Sequence, residues 1–350
     1  MYSKNVIRHL VFVSSLISIT TQAANLSEPR IFTETCDASA AVAVDDDLFA
    51  VANDEDNTMR FYRWSQPCRP VHTSNLNLPF FGKKKSPELD IEAATRLGNR
   101  VFWITSHGRN AKGELAPGRA RLFALEITNS NAGLAVSPVP GFYTNLLSDL
   151  AREPKLADFK LADAAKSAPK TSGSLNIEAL TSTPEGSLLI GFRNPIPKGR
   201  ALIVPLLNPN GVLSSEPVKF GDAILLDLGG LGLRGMESTE GGYYLLAGPA
   251  DGGAASRLFF WCGGDAVPKA VEAVNFTGIN PEGICMVNAK IDSDLLLLSD
   301  DGTRELNGKD CKDLPESQRQ FRAYRMSRKI DATRLRTNFL DADQRPKLTK

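Results

Sequence analysis

The segment that decides the fold is residues 89–95 (LDIEAAT), which is followed after a short turn by residues 100–110 (RVFWITSHGRN). Each segment begins with residues typical of a β-strand, and the turn between them contains Gly98 and Asn99. Two such runs joined by a short Gly/Asn turn predict a β-hairpin. The second strand runs directly into a polar loop that begins at Ser106.

The same hairpin pattern recurs along the chain. The segments that begin the five copies are 37–41 (DASAA), 89–95 (LDIEAAT), 175–180 (LNIEAL), 232–236 (GLRGM) and 280–284 (NPEGI). The second strands that follow them are 48–53, 100–105, 187–192, 243–248 and 294–299. Repetition of several short strands at intervals of roughly 45 to 55 residues indicates a β-propeller, and five copies predict an all-β protein with five blades.

One interval, between the second and third copies, is clearly longer than the others. Residues 143–172 in this interval contain Ala, Leu, Lys and Asp in place of β-branched residues. This composition favours a small helical insertion, which could serve as a lid. A sixth blade is the alternative explanation of the long interval.

The ends of the repeat region predict how the ring of blades closes. Residues 30–33 (RIFT) and 321–326 (FRAYRM) both resemble strands. In propellers a strand from one terminus often completes the blade that the other terminus builds. We therefore predict one propeller domain over residues 24–330, followed by a loose C-terminal tail at 331–350.

Composition and the N-terminal segment limit the functional classes. The formal net charge of +1 argues against a nucleic-acid surface, and 42% apolar residues suffice for a sizeable core. Residues 1–23 combine a basic start, a short apolar run and small residues before the expected cleavage point. This pattern predicts a signal peptide and a periplasmic or secreted protein. Because no segment reaches the length of about 20 apolar residues that a membrane helix needs, we expect no membrane span. We also expect a monomer.

Export places the five cysteines in an oxidising compartment, where disulfides persist. Pairs of Cys36 with Cys68 and of Cys262 with Cys311 are expected, although spacing does not fix the connectivity. Cys285 lies in an apolar run, which favours a buried free thiol.

The polar residues of the repeats are expected to meet at one end of the central channel. In each blade the start of the first strand and the end of the antiparallel second strand lie at the same mouth. Residues at these positions that we predict to form a site are Glu92, Glu178, Arg234, Glu282, Asp54, His107, Arg109, Asn110, Arg193, Asn194 and Asp300. Loops at the ends of a rigid scaffold are common ligand sites.

The residue types suggest roles within this predicted site. His107 and Glu92 are the candidates for proton transfer. The candidates for orienting an anionic substrate are Arg109, Arg193, Arg234, Asn110 and Asn194. The candidates for holding calcium are Glu178, Glu282, Asp300 and Asp54, because calcium prefers oxygen ligands and several carboxylates in one place repel each other without a cation or basic partner.

Each of these residues also has a structural explanation. The buried glutamates can accept hydrogen bonds from backbone amides, with Arg193 and Arg234 as their counter-ions. His107 can cap a loop or connect two blades, and residues 300–302 (DDG) are a common turn sequence. Residues 230–235 (GLGLRG) match a dinucleotide-binding pattern, but no helix is expected after them, so they predict a turn between blades.

Several phrases resemble an uncharacterised bacterial family, a domain of unknown function. They are DIEA (90–93), WITSHGRN (103–110), RLFAL (121–125), IEAL (177–180), GFRNP (191–195) and LIVPL (202–206). The resemblance covers roughly residues 35–328 and implies no activity. Residues 281–284 (PEGI) also resemble exported esterase-like phytase propellers, which would imply a calcium-assisted phosphoester hydrolase.

Two functions therefore stay open. One is a hydrolase of phosphate or other anionic esters, with calcium as the cofactor and a small anionic ligand. The other is a non-catalytic propeller that binds a ligand or a partner protein. The sequence does not decide whether the protein is an enzyme.

Overall fold

The repeated hairpins form five separate four-stranded antiparallel sheets in the computed structural model, which describes residues 26–82, 87–252, 256–272, 274–287 and 293–327. Strand β1 (Arg30–Thr33) precedes the first complete sheet. Blade 1 contains β2 (Ala40–Ala43), β3 (Leu48–Ala52), β4 (Thr58–Arg63) and β5 (His72–Asn75). Blade 2 contains β6 (Ile91–Leu97), β7 (Arg100–Thr105), β8 (Leu122–Ser130) and β9 (Gly133–Pro138). Blade 3 contains β10 (Asn176–Ser182), β11 (Leu188–Asn194), β12 (Ala201–Leu206) and β13 (Ile224–Leu226).

The remaining strands form blades 4 and 5. Blade 4 contains β14 (Gly232–Thr239), β15 (Gly242–Gly248), β16 (Arg257–Trp261) and β17 (Lys269–Ala270). Blade 5 contains β18 (Pro281–Met286), β19 (Leu295–Ser299), β22 (Gln320–Met326) and the N-terminal β1. A small hairpin of β20 (Glu305–Leu306) and β21 (Lys309–Asp310) lies between β19 and β22.

The first strands of the five blades form a closed ring. Strand β2 contacts β6, β6 contacts β10, β10 contacts β14, β14 contacts β18, and β18 returns to β2. This arrangement confirms the predicted all-β propeller with five blades, and no sixth sheet of this kind is found in the described residues.

Packing between neighbouring blades provides the core. Each of the five interfaces encloses its own cluster of buried apolar side chains. The second strands lie between two such clusters, and every residue of β11 and β19 is buried. Burial on both faces explains why residues 188–192 of β11 and 295–298 of β19 are continuously apolar instead of alternating.

The ring closes by pairing the two ends of the chain. Strand β1 pairs antiparallel with β22, so that Phe32 lies opposite Phe321. The rings of Phe32 and Phe321 are stacked at 5.4 Å, and Tyr62 of blade 1 packs edge-on against both. The predicted closure by residues 30–33 and 321–326 is therefore confirmed. The N-terminal strand thus supplies the outermost strand of the blade that the C-terminal strands build.

Helices are few and short. They are α1 (Asn77–Phe81), α2 (Leu146–Arg152), α3 (Leu161–Ala164) and α4 (Pro209–Leu213), with 3₁₀ turns at Pro117–Arg119, Pro154–Phe159, Pro197–Gly199, Cys311–Asp313 and Glu316–Gln318. Helices α2 and α3 confirm the predicted helical insertion between the second and third repeats. Leu146, Leu150 and Leu161 of these helices are buried in the core between blades 2 and 3. In the described ranges no helix has the length and apolar character needed to cross a membrane.

The disulfide differs from the expected pairs. Cys36 is bonded to Cys311, with a Cα–Cα distance of 6.0 Å, whereas Cys68 and Cys262 are exposed free thiols. Ring closure is the reason, because it places the loop before β2 beside the loop that precedes β22. Cys285 is a buried free thiol, as predicted. The predicted signal peptide at 1–23 and tail at 331–350 lie outside the described residues.

Replacing both Cys36 and Cys311 with Ser should lower the free energy of unfolding by about 2–4 kcal/mol, because the bond restricts the unfolded chain. Urea unfolding under non-reducing conditions measures this change. The control is Cys68→Ser with Cys262→Ser, which removes two exposed thiols and should leave stability nearly unchanged. A tryptic peptide linking Cys36 to Cys68 would contradict the assignment.

Candidate functional site

A β-bulge recurs at the same position in four of the five blades. The ladders between first and second strands shift register at one residue of β6, β10, β14 and β18. The residues skipped by these shifts are Glu92, Glu178, Arg234 and Glu282. Since a bulge redirects a side chain away from the regular alternation of a strand, it explains how ionisable residues are presented at the channel.

The bulged glutamates surround a common axis, as the repeat pattern predicts. Glu92, Glu178 and Glu282 line one small cavity together with Ser39, which precedes β2. We call this space the axial cavity. Its volume is about 10 Å³, and small residues such as Gly235 complete its lining. The channel therefore has room at this level for about one water-sized particle.

Arg234 compensates two of the three glutamates. It forms an ion pair with Glu282, and its Nε lies 3.6 Å from Glu178 Oε2. Its Nη1 donates a hydrogen bond of 2.7 Å to Asn280 Oδ1. Arg193 Nη1 donates to Glu178 Oε1 at 2.6 Å. Because both arginines are buried and engaged with carboxylates, they are not free to receive an anionic substrate as the sequence analysis expects.

Glu92 is the uncompensated member of the ring. It is partly exposed and forms no hydrogen bond or ion pair with any described residue. Burial, reinforced by the negative charges of Asp90, Glu178 and Asp54, raises the pKa of its carboxyl well above the usual range. This environment favours the protonated form of the carboxyl over the charged form.

A second group of acids lies between blades 1 and 5. Asp37 is buried and hydrogen-bonded to Asp300, and burial with this neighbouring charge raises the pKa of Asp37 to about 8. Asp300 accepts hydrogen bonds of 2.9 Å from Asn280 Nδ2 and from the Gly302 amide. Burial also raises the pKa of Asp54, whose Oδ1 is buried without a hydrogen-bond partner.

The four residues predicted to hold calcium do not fit a calcium site. Glu178 and Glu282 are paired with arginines, and Asp300 is bonded to Asn280. Calcium takes six to eight oxygen ligands, several of them carboxylates. No three Asp, Glu, His or Cys groups in the described part of the chain are arranged to hold a metal ion.

The side chains of His107 and Arg109 contact their own loop and the helical insertion. His107 is buried, its Nδ1 lies 2.8 Å from the Thr105 carbonyl oxygen, and its Nε2 is buried without a partner. Burial lowers the pKa of His107 to about 4, so the ring is neutral at pH 7. Arg109 donates to the carbonyl oxygens of Ala165 and Gly113, which ties this loop to the insertion.

Two predicted asparagines also have local roles. Asn110 Oδ1 accepts from the amides of Lys112 and Glu114 and shapes a turn. Asn194 Nδ2 donates to the Thr171 carbonyl and to Ser174 Oγ. Among described residues, no hydrogen bond or ion pair joins His107, Arg109, Asn110 or Asn194 to Glu92. The structure thus brings together Glu92, Glu178, Arg193, Arg234 and Glu282, with Asp54 and Asp300 nearby.

A larger cavity of about 780 Å³ lies at the same mouth, between blades 4 and 5. We call it the mouth cavity. It is lined by Gly252, Ser256, Val274, Asn275, Phe276, Thr277, Gly278, Ile279, Asn280, Asp300, Asp301, Thr303, Arg304 and Arg322. Asn280 and Asp300 connect it to Arg234 through hydrogen bonds.

The charged side chains around the mouth cavity largely pair with each other. Asp301 is buried and accepts from Arg322 Nη2 at 2.6 Å, while Arg304 Nη1 lies 3.8 Å from the same carboxylate. The charged groups of the lining are two carboxylates, Asp300 and Asp301, and two guanidinium groups, Arg304 and Arg322. The lining therefore carries no formal net charge.

Sequence reasoning missed Ser39, Asp37 and the loop at 274–280. Aligning the five repeats would have found the first two, because Ser39 occupies the position of Glu92 and Asp37 that of Asp90. The loop carries no repeat signal, since it connects two blades. Arg119 Nη1 lies 3.0 Å from Asp90 Oδ2. This arginine was missed because it lies in the long loop between β7 and β8.

The family model described as "Protein of unknown function (DUF3616)" matches residues 131–305, half of the 350-residue chain. The chain belongs to this family. The match spans blade 3, blade 4 and much of blade 5, so the matched part of this chain contains Glu178, Arg193, Arg234 and Glu282. No curated protein matches the chain.

Solved structures similar to this DUF3616 protein include β-propellers. Glutaminyl cyclase from Myxococcus xanthus is 11% identical over 87% of this chain and 96% of its own, with a TM-score of 0.42. The gluconolactonase XC5397 from Xanthomonas campestris is 13% identical over 80% and 76%, with a TM-score of 0.38. The Cps50 (Swd1) β-propeller domain from Myceliophteria thermophila is 8% identical over 86% and 98%, with a TM-score of 0.36. These similarities carry no information about activity.

Replacing Arg234 with Gln should lower the free energy of unfolding by about 3–5 kcal/mol, because it leaves Glu282 buried without its cation. Arg152→Ala is the matched control, since that arginine is exposed and pairs only with Asp149, and it should change stability by less than about 1 kcal/mol. Chemical unfolding measures both. Equal effects of the two variants would contradict the compensating role of Arg234.

The free energy of unfolding should fall as the pH rises from the ordinary pKa of Asp37, 3.8, towards its folded-state pKa of about 8. The folded-state pKa of about 8 exceeds the ordinary 3.8, so between these values the native state binds more protons than the unfolded state. Asp37→Asn should therefore be more stable than wild type above pH 8, by on the order of 1–3 kcal/mol, and similar to it below pH 4. Asp158→Asn, at an exposed carboxylate, should leave the pH profile unchanged. A parallel profile for Asp37→Asn and wild type would be the contrary result.

Proposed function

We propose that this protein is a binding propeller that takes a small, neutral, hydroxyl-rich molecule, such as a saccharide, into the mouth cavity. The observation that carries the proposal is the cavity itself, about 780 Å³ at the mouth where the blade loops converge. Ligand pockets for small molecules commonly measure 300–1,000 Å³ and lie at such positions.

The lining supports a polar ligand. Ser256, Thr277 and Thr303 contribute hydroxyl groups, and Asn275 and Asn280 contribute amides. Hydroxyl and amide groups can each donate and accept, which matches the mixed donors and acceptors of a sugar-like molecule.

An apolar part of the lining is supplied by three neighbouring residues, Val274, Phe276 and Ile279. Phe276 is buried in the core between blades 4 and 5, which fixes this part of the lining. A rigid apolar surface beside a few fixed polar groups is the usual composition of a small-molecule site.

The electrostatics favour a neutral ligand over an anionic one. The charged groups of the lining balance, and Arg193 and Arg234 are paired with Glu178 and Glu282. An anionic group placed here would meet the carboxylates of Asp300 and Asp301, and the two arginines of the lining, Arg304 and Arg322, already lie beside Asp301. For the same reason, hydrolysis of phosphate esters has no supporting contact, and calcium has no fitting ligand set among the predicted residues.

Export is part of the proposal. It rests on the signal-like sequence of residues 1–23 and on the Cys36–Cys311 disulfide, because disulfides persist in oxidising compartments. A periplasmic or secreted protein with such a cavity would meet sugars released outside the cytoplasm.

Saturation-transfer NMR with a panel of neutral monosaccharides, uronic acids and sugar phosphates tests the ligand class. We expect transfer to at least one neutral sugar, reduced at least tenfold when Ser256→Trp and Thr303→Trp fill the mouth cavity. Glu185→Trp, at an exposed turn between β10 and β11 on the opposite face, is the control and should bind as wild type does.

Binding confined to sugar phosphates, or binding unaffected by the two tryptophans, would disprove the proposal. The same samples, assayed with p-nitrophenyl phosphate with and without calcium, separate a binding protein from a phosphoester hydrolase. Turnover that depends on calcium and on Arg193 would support the hydrolase instead.

A further inference from the structure

Two deeply buried polar atoms that lack hydrogen-bond partners belong to residues lining the axial cavity. Ser39 is only 2% exposed, and its Oγ has no partner. Glu178 is 4% exposed, and although its Oε1 accepts from Arg193, its Oε2 accepts no hydrogen bond. Buried polar atoms are normally satisfied, and Glu178 Oε2 has only Arg234 Nε at 3.6 Å beside it, so these two atoms indicate a bound species that completes their contacts.

Glu92 contributes a third acceptor to the same cavity. It lines the space beside Ser39 and Glu178 and has no hydrogen bond or ion pair with the described residues. The cavity therefore offers two carboxylate groups and one hydroxyl oxygen. A species that only accepts hydrogen bonds would match the Ser39 hydroxyl alone, whereas a cation, or a donor such as water, would match all three.

The charges around the axis also leave a deficit of positive charge. The ring carries three glutamates, Glu92, Glu178 and Glu282, and two arginines reach it, Arg193 and Arg234. One negative charge thus has no counterpart within the ring. Asp54 adds a further negative charge close enough to raise the pKa of Glu92.

We propose that the axial cavity is a binding site for one small monovalent cation, an alkali-metal ion or ammonium, held by Glu92, Glu178 Oε2 and Ser39 Oγ. The volume of about 10 Å³ accommodates one particle of the size of a water molecule. Choline and tetramethylammonium are too large to enter. A divalent ion is disfavoured, because the described acids do not form the set of three ligands that it would require.

Cation binding and protonation of Glu92 compete for the same carboxylate. The groups that face it are Asp90 from its own blade, Glu178 and Arg193 from blade 3, and Asp54 from blade 1. Since a proton on Glu92 removes the charge that attracts the cation, affinity should increase with pH.

The melting temperature in chloride salts of equal concentration tests the site. Sodium, potassium or ammonium chloride should raise Tm by about 2–4 °C over choline chloride once the site is saturated. The salt that saturates at the lowest concentration distinguishes an alkali ion from ammonium. Equal Tm in all chlorides overturns the proposal and leaves sugar binding in the mouth cavity untouched.

Variants locate the effect. Glu92→Gln and Ser39→Ala should abolish the difference between small cations and choline, whereas Glu237→Gln should retain it. Glu237 is a suitable control because burial also raises the pKa of its carboxyl, to about 8, but it accepts from the Met286 amide and does not line the axial cavity. A cation-specific shift that persists in Glu92→Gln contradicts the assignment.

The cation site can also be tested on the wild-type protein, without any substitution. ²³Na relaxation should show line broadening that potassium or ammonium displaces and choline does not. Broadening should become weaker as the pH is lowered. Absence of displaceable broadening for sodium, together with no Tm difference for any small cation, means that Glu92 is merely protonated.

Discussion

The compensation of buried glutamates by Arg234 is the interaction on which the centre of this propeller depends. Four bulges direct ionisable side chains to one axis, and three of those side chains are acids. Without Arg234, Glu282 on the first strand of blade 5 would lose its ion pair, and Glu178 on the first strand of blade 3 would keep only Arg193. Removing one partner from a buried network of this kind is far more damaging than losing a surface pair.

The mouth consequently has two halves with different electrostatics. On the side of blades 3 and 4, Arg193 and Arg234 balance the acids. On the side of blades 1 and 2, Asp37, Asp54 and Glu92 form no ion pair with a described residue, and burial raises their carboxyl pKa values. The balanced half adjoins the mouth cavity through Asn280. A ligand there would contact a rigid, neutral lining, while the acidic half is suited to protons or small cations.

The repeats predicted much of the fold because each hairpin carries its own local signal. Five first strands, the terminal closure by residues 30–33 and 321–326, and the insertion helices all follow from short-range patterns. The disulfide did not follow, because Cys36 and Cys311 are separated by 275 residues and only ring closure makes them neighbours. The convergence of Glu92, Glu178 and Glu282 and the role of Arg193 and Arg234 as their counter-ions could be predicted. Which glutamate each arginine reaches, and the engagement of His107 with Thr105, depend on side-chain directions that spacing does not contain.

The sequence by itself determined which residues recur at the start of each inner strand, and therefore which ones reach the axis, because periodic strand and turn signals act over a few residues. Only the tertiary structure decided which of them carry a free charge. Arg193 and Arg234 reach glutamates of the axial ring, and for Arg234 these lie on neighbouring blades, whereas Glu92 lies beside Ser39, which offers no charge. Compensation depends on distances between blades, and those distances are set by how five sheets pack around one axis.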